Sequence, residues 1–357
     1  VPIYSSVSGT YKGIVKRMHN SLRPQNHMVI ECDFKQTKVQ SFAPLDWQSA
    51  TRQECVDFVK NAGIVGLGGA GFPTYVKYMK PDGVDYVLIN AVECEPYITA
   101  DYRSVMDDAQ DLVTGAKIMK KMAEAKTVYI CIKESHPDLI EKVKSALTDA
   151  AGVEVYPVPD VYPMGWERVL VREVLHKEYG GLPAEAGAII GNASSAIAIA
   201  KAFEKGEAIT QKNLTVSGEC VKDPHNVCVP VGMPVSEIIE ACGGYTQDTV
   251  RLISGGPMMG KTIVNDMFVV DRAMNALTVL PAANDDAIAC LRCGKCSDHC
   301  PSGLQPVRIT AALKANDVDE MSKRGVMSCI ECGMCTYICP SHIDVTENVR
   351  KAKRIVM

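Results

Sequence analysis

Eight cysteines arranged in two matching runs constrain this chain more than any other feature. Cys290, Cys293, Cys296 and Cys300-Pro301 spell C-x2-C-x2-C-x3-C-P, and Cys329, Cys332, Cys335 and Cys339-Pro340 repeat the spelling. Iron in a cubic cluster takes soft thiolate ligands, and three cysteines spaced by two residues around a Gly-containing turn reach three corners of one cluster. The fourth corner needs a thiolate from elsewhere. Where two such runs share a domain, the cysteine before the proline ligates the other cluster. That rule pairs Cys290, Cys293 and Cys296 with Cys339, and Cys329, Cys332 and Cys335 with Cys300, so two [4Fe-4S] clusters and one folded unit are expected. Zinc also uses paired C-x2-C units, but four ligands per ion would leave the third cysteine of each run and the Cys-Pro ends without a role. A disulfide framework needs an oxidising compartment, and nothing in the chain points to secretion. From Gln305 to Met327, Val307, Ile309, Leu313 and Val318 fall among polar residues in a helical pattern, which predicts a small helical domain around the clusters.

At 357 residues the chain has room for two or three domains. Apolar residues make up 47% and charged residues 22%, values of an ordinary globular protein with a real core. The formal charge of −4 (38 basic against 42 acidic residues) is spread without long like-charge runs, so there is no basic footprint for nucleic acid. No apolar run approaches the roughly 20 residues that span a bilayer, and no signal peptide is visible, so direct membrane insertion is not expected. The sequence starts at Val1 without an initiator Met, in mid-pattern, and a preceding segment is expected. Fifteen cysteines point to a reducing, oxygen-poor, cytoplasmic setting. Seven of them, at 32, 55, 94, 131, 220, 228 and 242, show no ligand spacing and are expected as small buried hydrophobes.

Residues 1 to 33 alternate short apolar stretches with Gly, Ser, Pro and Asn, which predicts a few strands and turns. From Thr51 the pattern becomes α/β. A helix is expected from Thr51 to Ala62, followed by Gly66, Gly68, Gly69, Ala70, Gly71, Phe72 and Thr74. Four glycines in six residues remove side chains where a backbone must approach a flat or phosphorylated ligand, and a helix starting near Thr74 would offer free N–H groups to an anion, with Lys77 one turn inside it. A tight turn is the plainer alternative. The strand Tyr86 to Asn90 then leads into Glu93 and Glu95, at the strand end where open α/β sheets bind ligands. A flavin ring or a ribose would use two such carboxylates, whereas solvated surface carboxylates need no partner. A helix is expected from Asp101 to Lys126, further strands at 127–133, 153–158 and 188–192, and helices at 137–150 and after Trp166-Glu167. His176 reads as a helix cap.

Gly68 to Thr74 with Lys77, Asn90 to Thr99, Tyr162 to Glu167, and Ser254 to Gly260 resemble the electron-input (RnfC-type) subunit family of ferredoxin:NAD oxidoreductase complexes. With the cysteine runs, the resemblance covers nearly the whole chain. That family is in turn similar to the NADH-binding flavoprotein subunit of complex I, and it includes electron-transfer proteins of proline reductase and cobalamin reductases. The resemblance implies an α/β flavin-binding core, a β-grasp (SLBB-like) domain and a small all-α two-cluster ferredoxin-like domain. The expected boundaries are 1–34 (remnant of a β sandwich-hybrid domain), 35–210 (FMN and NADH binding), 211–265 (β-grasp), 266–284 (linker) and 285–357 (clusters). It further implies FMN held by Gly66, Gly68, Gly69, Ala70, Gly71, Phe72, Thr74, Lys77, Asn90, Glu93, Glu95 and Asn192, with Glu95, Glu167 and Phe72 toward NADH. The chain departs from the family at Ala100, where a cysteine is frequent, and at Trp166, where a small residue is usual. The implied activity is that of an NADH:acceptor oxidoreductase passing single electrons through two clusters to a partner, either other subunits of a membrane complex, on whose cytoplasmic face the chain would be peripheral, or a soluble dedicated reductase. A flavin-free iron–sulfur scaffold is the third reading. No side-chain acid or nucleophile is required for catalysis.

Overall fold

The computed structural model describes residues 1–37, 39–282 and 286–357. The chain divides into one unit of Val1–Gly256 with Lys261–Pro281, and a second of Pro257–Gly260 with Ala282–Met357.

The first unit opens with an antiparallel hairpin of β1 (Gly9–Met18) and β2 (Pro24–Cys32). Helix α1 (Arg52–Asn61) starts at Thr51, whose side chain and that of Glu54 close a capping box. Next come β3 (Tyr86–Asn90), α2 (Ala100–Asp107), α3 (Ala109–Ala123), β4 (Thr127–Lys133), α4 (Pro137–Ala146), β5 (Val153–Val158), α5 (Glu167–Leu175), β6 (Ala188–Asn192) and α6 (Ala193–Lys205). The four strands form a parallel sheet in the order β5-β4-β3-β6. Val87, Leu88 and Ile89 of β3 are all fully buried, which is why that strand is a continuous apolar run and not an alternating one. Asn90 and Asn192 are register partners at the carboxyl ends of β3 and β6.

The helix expected over Asp101 to Lys126 is instead two, divided at Asp108, whose backbone is non-helical (φ −118°, ψ 36°) and whose carboxylate accepts from Lys201 Nζ at 2.6 Å. The helix expected from Thr74 is only a 3-10 turn, Thr74–Tyr78. Pro81 stands three residues on; it disfavours helical backbone at Lys80, and Gly83 follows, so the turn has nowhere to continue.

A second sheet in this unit contains β7 (Gln211–Ser217), β8 (His225–Pro230), β9 (Val250–Ser254), β10 (Lys261–Ile263) and β11 (Ala276–Pro281), with α7 (Val235–Ala241) between β8 and β9. Its order is β10-β9-β11-β7-β8, with β11 parallel to β7 and antiparallel to β9. This is the β-grasp arrangement. Residues 276–281, expected within a linker, form its central strand, and Ala276, Leu277 and Val279 are fully buried there. The expected boundary at 284/285 lies outside the described residues.

The second unit is helical: α8 (Lys295–Asp298), α9 (Pro306–Lys314), α10 (Val318–Lys323), α11 (Met334–Tyr337) and α12 (Val345–Val356). Leu304, Ile309, Ala312, Met321, Val326, Val345, Val349 and Ala352 form its core. The helix expected over the spacer is broken between α9 and α10, where Asn316 is left-handed (φ 53°) and Asp317 caps α10 by accepting from Glu320 N–H at 2.9 Å.

Candidate functional site

The glycine-rich segment closes on itself. Gly66 N–H donates to Phe72 O at 2.8 Å and Gly71 N–H to Gly66 O at 3.1 Å, so residues 66–72 form a loop with Gly68, Gly69 and Ala70 exposed at its tip. A Cβ at Gly68 would lie 2.8–3.1 Å from the side chain of Asn192, so only glycine lets the loop seat there. Asn192 in turn caps α6, accepting from Ser194 N–H at 2.9 Å, and its amide donates to Asp101 Oδ2 at 2.6 Å. Ser194 Oγ donates to the other oxygen of Asp101 at 2.6 Å. Thr74, buried at the end of the loop, donates its N–H to Ile64 O at 3.2 Å.

Lys77 lies on the 3-10 turn, so no long helix start stands behind it; its Nζ donates to Ile190 O of β6 at 2.8 Å and reaches Glu167 Oε1 at 3.4 Å. Glu167 is the first residue of α5 and about half exposed. Asn90 is engaged within the protein on both sides, donating to Gly165 O at 2.7 Å and accepting from Val92 N–H at 3.1 Å. Glu93 adopts a left-handed backbone (φ 46°) and accepts from Tyr102 N–H at 2.9 Å. Burial first, and then the neighbouring Asp101 carboxylate, raise its carboxyl well above the usual range. Glu95 packs so tightly on Gly256 that a Cβ there would lie 2.3 Å from its carboxylate oxygen. Phe72 is 44% exposed beside the loop tip.

The loop, Lys77, Glu167, Asn90 and Asn192 thus gather at the carboxyl ends of β3 and β6, and Glu93 joins them through Asp101. Bare, exposed backbone at Gly68 and Gly69, flanked by a cation and amide and carboxylate side chains, fits a flat, phosphorylated aromatic cofactor such as FMN. Sequence reasoning missed Asp101, Ser195 and Lys212, none of which stands in a motif of its own, and it singled out Ser254 to Gly260 without the role of Gly256.

In the second unit the two cysteine runs fold alike. Arg292 and Glu331 are both left-handed (φ 55° and 56°), as are Gly294 and Gly333 (φ 81° and 79°). Arg292 N–H points to Cys290 Sγ and Glu331 N–H to Cys329 Sγ, each at 3.4 Å. Cys300, Cys329, Cys332 and Cys335 line one small cavity together with Pro301, Gly333 and Thr346. Burial, reinforced by the three other thiols, pushes Cys335 up to about 11 against a contact from Thr346. Among the described residues no three His, Cys, Asp or Glu side chains converge as ligands of one metal ion. Soft donors spread around a gap fit a polynuclear cluster. Ile288 N–H donates to Ser341 O, and Ser341 Oγ to Ala289 O, both at 3.1 Å, which ties the chain before Cys290 to the chain after Cys339. Glu331 is held by Arg350 at 3.0 Å and Lys353 at 2.9 Å. Outside the two runs, Cys55, Cys131, Cys220 and Cys242 are buried as expected, whereas Cys32 and Cys94 are half-buried and Cys228 is exposed.

Comparison with known proteins bears on the domains that carry these residues. Residues 59–201 match the Nuo51 FMN-binding domain, 213–262 the SLBB domain and 282–340 the 4Fe-4S dicluster domain. The C subunit of the proton-translocating ferredoxin:NAD(+) oxidoreductase complex of Clostridium ljungdahlii is 35% identical over 312 residues, 85% of this chain and 68% of that protein. Its Na(+)-translocating counterpart from Acetobacterium woodii is 36% identical, covering 100% of this chain and 82% of that protein. The C subunit of the ion-translocating oxidoreductase complex of Rhodobacter capsulatus is 37% identical over 78% of this chain, which spans 56% of that protein. Among solved structures, an NAD+-reducing [NiFe]-hydrogenase in the H2-reduced state shares the fold, with TM-score 0.59 and 16% identity, over 89% of this chain and 66% of that chain. The chain carries an FMN-binding domain, an SLBB domain and a 4Fe-4S dicluster domain, and it belongs to the RnfC-type family, the C subunits of ferredoxin:NAD(+) oxidoreductase complexes.

Proposed function

We propose that this chain is a redox subunit that exchanges a hydride with NAD(H) at FMN and passes single electrons through two [4Fe-4S] clusters to other subunits of its complex. One observation carries the reading: the glycine loop is seated on Asn192 at the carboxyl ends of β3 and β6, where bare backbone, Lys77, Asn90 and Glu167 meet. FMN bound there supplies the conversion between two-electron and one-electron transfer. In this reading Gly66, Gly68, Gly69, Ala70, Gly71, Phe72 and Thr74 shape the cradle, Lys77 supplies positive charge, and Asn90, Glu93 and Asn192 set the depth of the pocket. Glu95, Glu167 and Phe72 face the nicotinamide dinucleotide. Cys290, Cys293, Cys296 and Cys339 hold one cluster, and Cys329, Cys332, Cys335 and Cys300 the other. We assign 35–210 to flavin and dinucleotide binding, 211–281 to the β-grasp domain and the remainder after it to the clusters, with 1–34 as an appended hairpin region.

Among the described residues no helix is long and apolar enough to cross a membrane; the family of complex subunits supports a peripheral place on the cytoplasmic face, held by partner subunits. Anaerobic purification tests the reading. One FMN released per chain by acid, with NADH-driven reduction of one-electron dyes by the isolated chain, supports it; full iron content with no flavin overturns it in favour of a scaffold. Affinity capture from native cells that returns integral membrane subunits supports the membrane complex, whereas capture of a wholly soluble reductase overturns that part.

A further inference from the structure

Lys212 is a buried lysine of the second sheet. It stands on β7 with 4% of its surface exposed, and its Nζ donates to the carbonyl of Leu67, inside the glycine loop, at 2.9 Å. The N–H of the same Leu67 is held from the other side by Ser195 Oγ, also at 2.9 Å. Both polar groups of one loop residue are therefore pinned, one residue before the exposed tip. Burial lowers the pKa of the ammonium, and the Asp101 and Asp271 carboxylates oppose that in part. The β-grasp domain reaches the loop once more, where the Ala273 methyl lies 3.6 Å from where a Gly71 Cβ would be, and it holds the chain just before the loop, where Arg272 Nη1 donates to Gly63 O at 3.0 Å. An inert brace would be cheaper with an apolar side chain, because an ammonium is costly to take out of water before any partner restores it. A lysine kept here is one whose donor is used.

We propose that Lys212 is a positioning residue of the flavin site, fixing the Leu67 carbonyl and with it the backbone face that Gly68 to Gly71 present to the cofactor, so that the β-grasp domain is part of that site. This rests on the flavin reading above. The comparison is between wild type, Lys212→Met, which keeps the stem and removes the donor, and Lys212→Arg. Two readouts apply: hydrogen exchange of the 66–72 amides in flavin-stripped protein, and FMN affinity by fluorescence titration. Loss of a charged hydrogen-bond donor predicts FMN affinity weaker by about tenfold or more in Lys212→Met, with faster exchange confined to the loop and most of the affinity restored by arginine. Wild-type affinity and unchanged loop exchange in Lys212→Met overturn the proposal alone, as does faster exchange spread evenly over both sheets. A wild-type protein that binds no FMN overturns the flavin reading and the proposal with it. Should Lys212→Met fail to fold, Ser195→Ala loosens the same Leu67 peptide without burying a charge. Weaker FMN binding and faster loop exchange in that variant support the proposal, and wild-type behaviour overturns it.

Discussion

Glu93 shows how a single residue couples the site to pH. Its carboxyl is raised from an ordinary value of 4.5 to about 8, by burial first and then by Asp101. The folded chain therefore holds a proton there that the unfolded chain releases near 4.5, and by linkage its contribution to stability is complete below that pH and lost as pH rises through about 8. Thermal unfolding should reveal a melting temperature that falls between these limits. Glu93→Gln, which stays neutral throughout, should flatten that slope and melt higher than wild type at pH 8.5; a slope left unchanged in the variant would locate the titration elsewhere.

At the level of elements, α1 and α6 begin with comparable caps but serve different ends. Thr51 closes a capping box on α1 away from the glycine loop, whereas Asn192 caps α6 and also supports Gly68 and Asp101. Loss of either cap costs about 0.5–2 kcal/mol. Thr51→Ala should lower the melting temperature and leave FMN affinity intact, while Asn192→Ala should lower both, and equal affinities for the two variants would separate Asn192 from the site. The helix start at Thr51, the short apolar strands and the Gly-Lys-Asn motifs act locally or at fixed spacing, so they are legible without a fold, whereas the reach of the Asn192 cap to Gly68 and Asp101 is not. Strand β11 is not legible either, because a short apolar run becomes the centre of a sheet only when β7 and β9 flank it. Lys212 was silent for the same reason: its partner Leu67 lies 145 residues away in the chain, and no spacing rule joins them. The 3-10 turn at Thr74 carries the same local pattern as a helix start, and its stop signal, Pro81, lies beyond it.

For the whole molecule, the crossed pairing of thiols is the claim most open to direct attack. Cys300→Ser should cut the iron content from about eight to about four atoms per chain and remove the cluster held by Cys329, Cys332 and Cys335. Spectra showing loss of the Cys290 cluster instead would refute the pairing. The two cysteine turns share a backbone but differ in charge and in depth. Arg292 and Lys295 stand in the first, with Cys290 and Cys293 exposed; the matching positions of the second are Glu331 and Met334, and Cys332 is 7% exposed. Arg350 and Lys353 offset the charge of Glu331, so depth is the difference that remains: solvent favours the more reduced, more negative cluster, and equal scaffolds would then exert unequal pulls on the electron. The pair would work as a ratchet: charge entering at either cluster settles toward the Cys290 turn and returns only against a gradient. A potentiometric titration followed by electron paramagnetic resonance should resolve two one-electron steps, the higher belonging to the Cys290 cluster, and two indistinguishable steps would mean that the unequal depth of the two turns leaves no imprint on the flow.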